Sequence, residues 1–85
     1  MDKKELIRQA MQIKPFMNIG KQGISPQTIE QIKNHLKANK LTKIKLLRTF
    51  LDNGNDKKEI AKQLAQDTNS ELIKLIGLTV ILYKR

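Results

Sequence analysis

Two glycines around a lysine and a glutamine, Gly20-Lys21-Gln22-Gly23, are the residues of this chain whose types and spacing most suggest chemistry. Glycine opens backbone conformations closed to other residues and lets a phosphate approach the main chain with no Cβ in the way. Ser25-Pro26 follows directly, a capping hydroxyl and a proline suited to the first helical position. A helix N-terminus, with unpaired N–H groups and the positive end of its dipole, is therefore expected beside the loop. Lys21 adds a full charge at the tip. The combination suits a phosphate of a polyanionic backbone, although a four-residue glycine loop alone also serves as an ordinary turn.

Materials for catalysis are scarce. His35 is the only imidazole, Ser25 and Ser70 are the only serines, and cysteine is absent. The two serines read as a helix cap and a turn residue, which leaves nothing from which to build a hydrolytic triad. Asp2, Glu5, Asp56 and Glu59 read as capping groups and Asp52 as part of a turn. The stretch from Asp52 to Asp56 resembles a calcium loop superficially, but its glycine is misplaced and Gln63 stands where a bidentate glutamate is needed. The expectation is a protein that is not an enzyme and has no metal or other cofactor and no small-molecule substrate.

Charge points to the partner instead. The chain carries 17 lysines and arginines against 8 acidic residues, a net charge of +9. Eleven of the basic residues and three of the acidic ones lie at or before Arg48, so the first half carries nearly the whole excess. Lys33, Lys37, Lys40, Lys43, Lys45 and Arg48 have no acidic neighbour between Glu30 and Asp52. Such a segment attracts a polyanion. Gly20, Lys21, Gln22 and Gly23 are the candidates for docking the backbone, with Arg8, Lys14, Lys43 and Lys45 as flanking charges. Phe16, Phe50 and Tyr83 are the only aromatic residues, and Phe16 and Phe50 adjoin apolar runs, which predicts core packing and little aromatic readout.

The elements that must position these groups are legible from periodicity. Asp2 and Glu5 have capping-box spacing, and Leu6, Ile7, Ala10, Met11 and Ile13 recur at helical intervals up to Pro15. Phe16 to Ile19 reads as a strand. A second helix starts at Ser25-Pro26, buries Ile29, Ile32 and Leu36, and fades at Asn39. From Leu41 the period becomes two, with Thr42, Ile44 and Leu46 on one face and Lys43, Lys45 and Leu47 on the other. Asp52-Asn53-Gly54-Asn55 is turn chemistry, and Asp56 with Glu59 opens a third helix closed by Thr68-Asn69-Ser70. Glu71 to Ile76 and Thr79 to Lys84 read as strands around Gly77-Leu78, a connection suited to a type II′ turn. The order α-β-α-β-α-β-β predicts one α/β (α+β) domain over residues 1–85, with helices packed on a four-stranded mixed sheet. The crossovers imply parallel pairs, with one antiparallel pair at the end. No stretch is apolar enough to span a bilayer and no secretory signal is visible, so the expectation is a soluble cytoplasmic protein without a membrane partner.

Three separated motifs carry a family resemblance. Lys14-Pro15-Phe16-Met17-Asn18-Ile19-Gly20-Lys21-Gln22-Gly23-Ile24-Ser25 resembles the Lys-Pro, apolar, Ile-Gly-Lys-x-Gly-Leu-Thr signature of the CRM (CRS1-YhbY) domain. Leu41-Thr42-Lys43-Ile44-Lys45-Leu46 resembles that family's second strand. Ile76-Gly77 followed by Thr79-Val80-Ile81-Leu82-Tyr83 resembles its closing hairpin, although the ending here is Tyr83-Lys84-Arg85 where the family has Tyr-Arg. The resemblance implies a stand-alone, YhbY-like RNA-binding protein associated with precursors of the large ribosomal subunit. It also implies a fold similar to the C-terminal domain of translation initiation factor three, with the glycine loop between the first strand and second helix.

The leading expectation is a monomeric module that binds structured ribosomal RNA or pre-ribosomal particles through phosphate and shape. The alternative is a ribosome-docking or assembly-scaffold protein whose basic face binds anions without selectivity. A DNA-binding role is disfavoured, because no helix-turn-helix or basic-zipper pattern is present.

Overall fold

Asp2 Oδ1 accepts a hydrogen bond from Glu5 N at 2.9 Å and starts helix α1, Lys3–Ala10. The computed structural model describes residues 2–20, 22–51, 54 and 56–85. Strand β1 spans Met17–Ile19, helix α2 Pro26–Asn39, strand β2 Leu41–Leu46, a short helix α3 Arg48–Leu51 and helix α4 Lys57–Asp67; strands β3, Glu71–Ile76, and β4, Thr79–Tyr83, complete the chain. The predicted turn at Asp52-Asn53-Gly54-Asn55 lies outside the described residues except for Gly54, whose φ is +88°.

Caps set the other helix ends as well. Ser25 Oγ accepts from Thr28 N at 3.1 Å, and Pro26 occupies the first position of α2. Asp56 Oδ1 accepts from Lys58 N at 3.0 Å at the start of α4. That helix closes in a Schellman arrangement: Asn69 takes φ +55°, its N–H bonds Gln66 O at 3.1 Å, and Ser70 N bonds Ala65 O at 2.9 Å. Asparagine tolerates this conformation better than most residues, which is why Thr68-Asn69-Ser70 reads as a stop.

The sheet order is β1-β2-β4-β3. β1 and β2 pair in parallel, whereas β2–β4 and β3–β4 are antiparallel. This corrects the expectation of several parallel pairs. β4 inserts between β2 and β3 because Val80, Ile81 and Leu82 are all buried, and a strand apolar on both faces belongs in the centre of a sheet covered on both sides. In the β3–β4 hairpin Ile76 faces Thr79, so Gly77-Leu78 is a two-residue loop; Gly77 has φ +57° and Leu78 does not share it, in keeping with the expected II′ turn.

Helices cover both faces. Leu6 and Ala10 of α1 pack on Ile73 and Ile81 on one side. On the other, Ile32 and Leu36 of α2, Phe50 of α3, and Ala61, Leu64 and Ala65 of α4 pack on Ile19, Ile44, Leu46, Val80 and Leu82. Full burial of each large aliphatic side chain contributes about 1.5–3 kcal/mol before conformational entropy is counted. Thr42, Ile44 and Leu46 are buried together as the period of two predicts. A bulge between Leu72 and Lys74 shifts the β3 register and keeps Ile73 in the α1 cluster.

Two boundaries differ from expectation. α1 stops at Ala10 rather than at Pro15, and the chain unwinds through i→i+3 bonds from Gln12 N to Gln9 O and Ile13 N to Ala10 O. The chain must leave the helix early to run into β1 beside β2, so Met11 and Ile13, expected on the buried stripe, lie on the surface. β2 ends at Leu46, and Leu47 accepts from Phe50 N to open α3, a turn of helix that the strand-like alternation conceals.

Candidate nucleic-acid interface

The glycine loop leaves the C-terminal end of β1, where Leu47 N donates to Ile19 O at 2.8 Å. Gly23 N donates to Gly20 O at 2.8 Å, so the turn brings the two glycines together. Gly23 has φ +72°, and a Cβ there would stand 3.5 Å from the Phe50 ring. A Cβ on Gly20 would stand 3.0 Å from Leu47 Cδ1. Gly23 is thus demanded by its backbone angle, while Gly20 packs closely on the movable end of Leu47 after β2. Gln22 is exposed, Lys21 lies outside the described residues, and α2 begins three residues beyond the turn with no acidic residue in its first turn.

β1 and β2 bring a second set of groups to the same pair of strands. Asn18 is the register partner of Lys45, and Lys45 in turn faces Thr79 of β4, on the side of the sheet opposite α2 and α4. Lys45 is exposed. Lys43 lies two residues back on the same side and donates from Nζ to Ile13 O at 3.2 Å, so it also caps the unwound end of α1. Lys14 is exposed at the rim of a cleft between the α1–β1 connection and the end of α2. Arg8 is different: its guanidinium hydrogen-bonds Glu5, which holds the Glu5 carboxyl below its ordinary value and raises Arg8's own. Its charge is already paired.

The other described basic residues of the first half gain no such partner in space. Among the described residues two ion pairs occur, Glu5–Arg8 and Glu71–Arg85. Lys14, Lys33, Lys37, Lys40, Lys43, Lys45 and Arg48 remain without a carboxylate. The Glu71 partner ties Arg85 across β3 and β4, and Lys84 N bonds Lys40 O at 2.7 Å, so the chain end is held to the sheet by both.

Phe16 departs from the core role expected of it. It is 38% exposed and stacks on His35, with ring centroids 3.9 Å apart and planes 16° apart. Phe50, by contrast, is buried as expected. Phe16 precedes β1, which begins at Met17, so strand alternation does not reach it, and its ring turns toward the C-terminal half of α2 instead of the core. Among the described residues no group of three His, Cys, Asp or Glu side chains could hold a metal ion, and no helix is long and apolar enough to cross a membrane.

The chain is similar to known proteins over nearly its full length. The probable RNA-binding protein YqeI of Bacillus subtilis is 33% identical over 82 residues, covering 96% of this chain and 82% of that protein. The probable RNA-binding protein MJ0652 of Methanocaldococcus jannaschii is 30% identical over 82 residues, covering 96% of this chain and 60% of that protein. The solution structure of the hypothetical protein SAV1595 from Staphylococcus aureus, a putative RNA binding protein, superposes with a TM-score of 0.79 at 37% identity, covering 98% of this chain and 83% of that one. The model of the CRS1 / YhbY (CRM) domain matches residues 1–84, and with this fold and these relatives the chain belongs to the CRS1/YhbY (CRM) domain family.

Proposed function

We propose that this protein is a monomeric, non-enzymatic RNA-binding module of the cytoplasm that docks on structured ribosomal RNA or large-subunit precursors. The observation that carries the reading is the set of described first-half cations, Lys14, Lys33, Lys37, Lys40, Lys43, Lys45 and Arg48, that folding leaves without acidic partners. A protein that needed these lysines only for its own stability would pair some of them; unpaired, they attract phosphate at long range. The turn at Gly20–Gly23 and the N-terminus of α2 form one part of the docking surface and Lys43 and Lys45, on the other face of the sheet, a second, with Lys14 and Arg8 at its margin. RNA-binding descriptions of the relatives support the same class of partner.

The test is a salt titration of binding to a structured ribosomal RNA fragment, followed by anisotropy. With about four to six phosphate contacts, affinity falls roughly 10²- to 10³-fold between 50 and 200 mM salt. A slope near zero rejects the electrostatic docking. Crosslinking in cells then identifies the bound RNA; recovery of protein partners alone favours the scaffold alternative.

A further inference from the structure

Met11, Ile13 and Phe16 are the exposed large hydrophobic residues among those described, and all three belong to the segment joining α1 to β1. Two clefts adjoin it and share a wall made by Phe16, His35 and Asn39. The smaller, about 310 Å³, is completed by Ile13, Lys14 and Leu41 together with Gln9. The larger, about 640 Å³, opens over Met17 and the amides of Gln31 and Asn34.

The shared wall is preorganised. Asn39 Nδ2 donates to His35 O at 3.1 Å and stands 3.2 Å from His35 Nδ1, which orients the imidazole. The Phe16 ring lies flat on that oriented imidazole. A planar ligand therefore meets an aromatic surface whose rotamers are already restricted, which lowers the entropic cost of binding. The smaller cleft has apolar walls in Ile13, Phe16 and Leu41, a polar edge in Asn39, and the Lys14 ammonium at its rim. Among the described residues, no carboxylate lines either cleft. Flat apolar surface, an amide that can pair with a polar edge, and an adjoining cation are the needs of a nucleobase and the phosphate attached to it. An acidic peptide would satisfy Lys14 but leave the planar surface unused.

We propose that this smaller cleft takes one unpaired base of the bound RNA, packed against the Phe16–His35 stack, with Lys14 on the neighbouring phosphate. The inference rests on the RNA-binding reading above and adds a preference: RNA with unpaired bases is bound more tightly than fully paired RNA.

The test compares a stem-loop RNA with a blunt duplex of the same stem, for wild type, Phe16→Leu and Phe16→Tyr. Wild type is expected to prefer the stem-loop, and Phe16→Leu to lose about 5- to 150-fold in stem-loop affinity while duplex affinity and salt slope stay put. Phe16→Tyr retains the preference. Without any variant, the Phe16 and His35 ring resonances of the wild-type protein should shift on adding the stem-loop and stay in place with the duplex. If the protein binds the stem-loop and those resonances do not move, or if Phe16→Leu binds both RNAs as wild type does, the base cleft is rejected while RNA binding stands. If neither RNA binds, the reading it rests on falls with it.

Discussion

Leu47 occupies the space that a side chain on Gly20 would need, its Cδ1 lying 3.0 Å from the position of the missing Cβ. Gly20 follows β1 and Leu47 follows β2, so the contact clamps the glycine turn onto the end of the parallel pair. A motif that reads as an open approach for phosphate is thus also a packing joint. Mutations in the loop test RNA binding only when the two roles are separated.

The two glycines differ in what they tolerate. Gly23→Ala forces a side chain into a left-handed backbone conformation and should cost about 1–2 kcal/mol of stability. Gly20→Ala meets the movable end of Leu47 and should cost less, with Leu47→Ala in the same chain recovering most of the loss. Urea melts of the three variants check the order. Equal losses at the two glycines would show that backbone angle is not the deciding factor at Gly23.

Thr42 and Thr68 are both buried, and the same change should move them in opposite directions. Thr42 Oγ1 has no hydrogen-bond partner, so Thr42→Val removes an unsatisfied hydroxyl and should stabilise by about 1 kcal/mol. For a domain of this size that is a rise in Tm of roughly 4–8 °C. Thr68 Oγ1 donates to Leu64 O at 2.6 Å and pairs with Ser70 Oγ at 2.7 Å. Thr68→Val should therefore destabilise by about 1–3 kcal/mol. Calorimetry on the pair reads the sign directly.

Neighbouring residues of β2 separate folding from binding. Ile44 is fully buried between β1 and β4, so Ile44→Asp places an unpaired charge in a small core and should abolish the cooperative melt. Lys45→Ala should leave the melt within about 0.5 kcal/mol of wild type, as at other surface positions, while weakening RNA binding. One lost phosphate contact lowers the salt slope by about one. An equal fall in melting temperature for both variants would contradict the facing.

Arg8 should behave unlike Lys45, because Glu5 already compensates it. Glu5 has its carboxyl pKa lowered mainly by the Arg8 hydrogen bond, so the pair is intact at neutral pH and is lost as pH falls through the lowered value, beneath the ordinary 4.5. Glu5→Gln frees the Arg8 charge at neutral pH and should strengthen RNA binding, raising the salt slope by about one if Arg8 lies at the interface. Arg8→Gln should change affinity less than Lys45→Gln does. Anisotropy titrations at several salt concentrations measure both, and a larger loss at Arg8 would place the docking surface nearer α1.

The local features were legible because their causes are local. Asp2, Ser25 and Asp56 cap the helices they precede, Thr42, Ile44 and Leu46 turn inward together, and Gly77 makes the hairpin, each governed by neighbours within a few residues. The excess of cations before Arg48 was equally plain, since charge is a property of composition. What tertiary structure alone decided is which partners meet across the chain. β4 entered the sheet beside β2 because only there are both its faces covered; α1 unwound before Pro15 because β1 had to reach β2. The same folding brought Phe16 onto His35, nineteen positions away in sequence, and Leu47 into the space beside Gly20. Local periodicity records which face a residue turns, while the neighbour waiting on that face is set by the path of the whole chain.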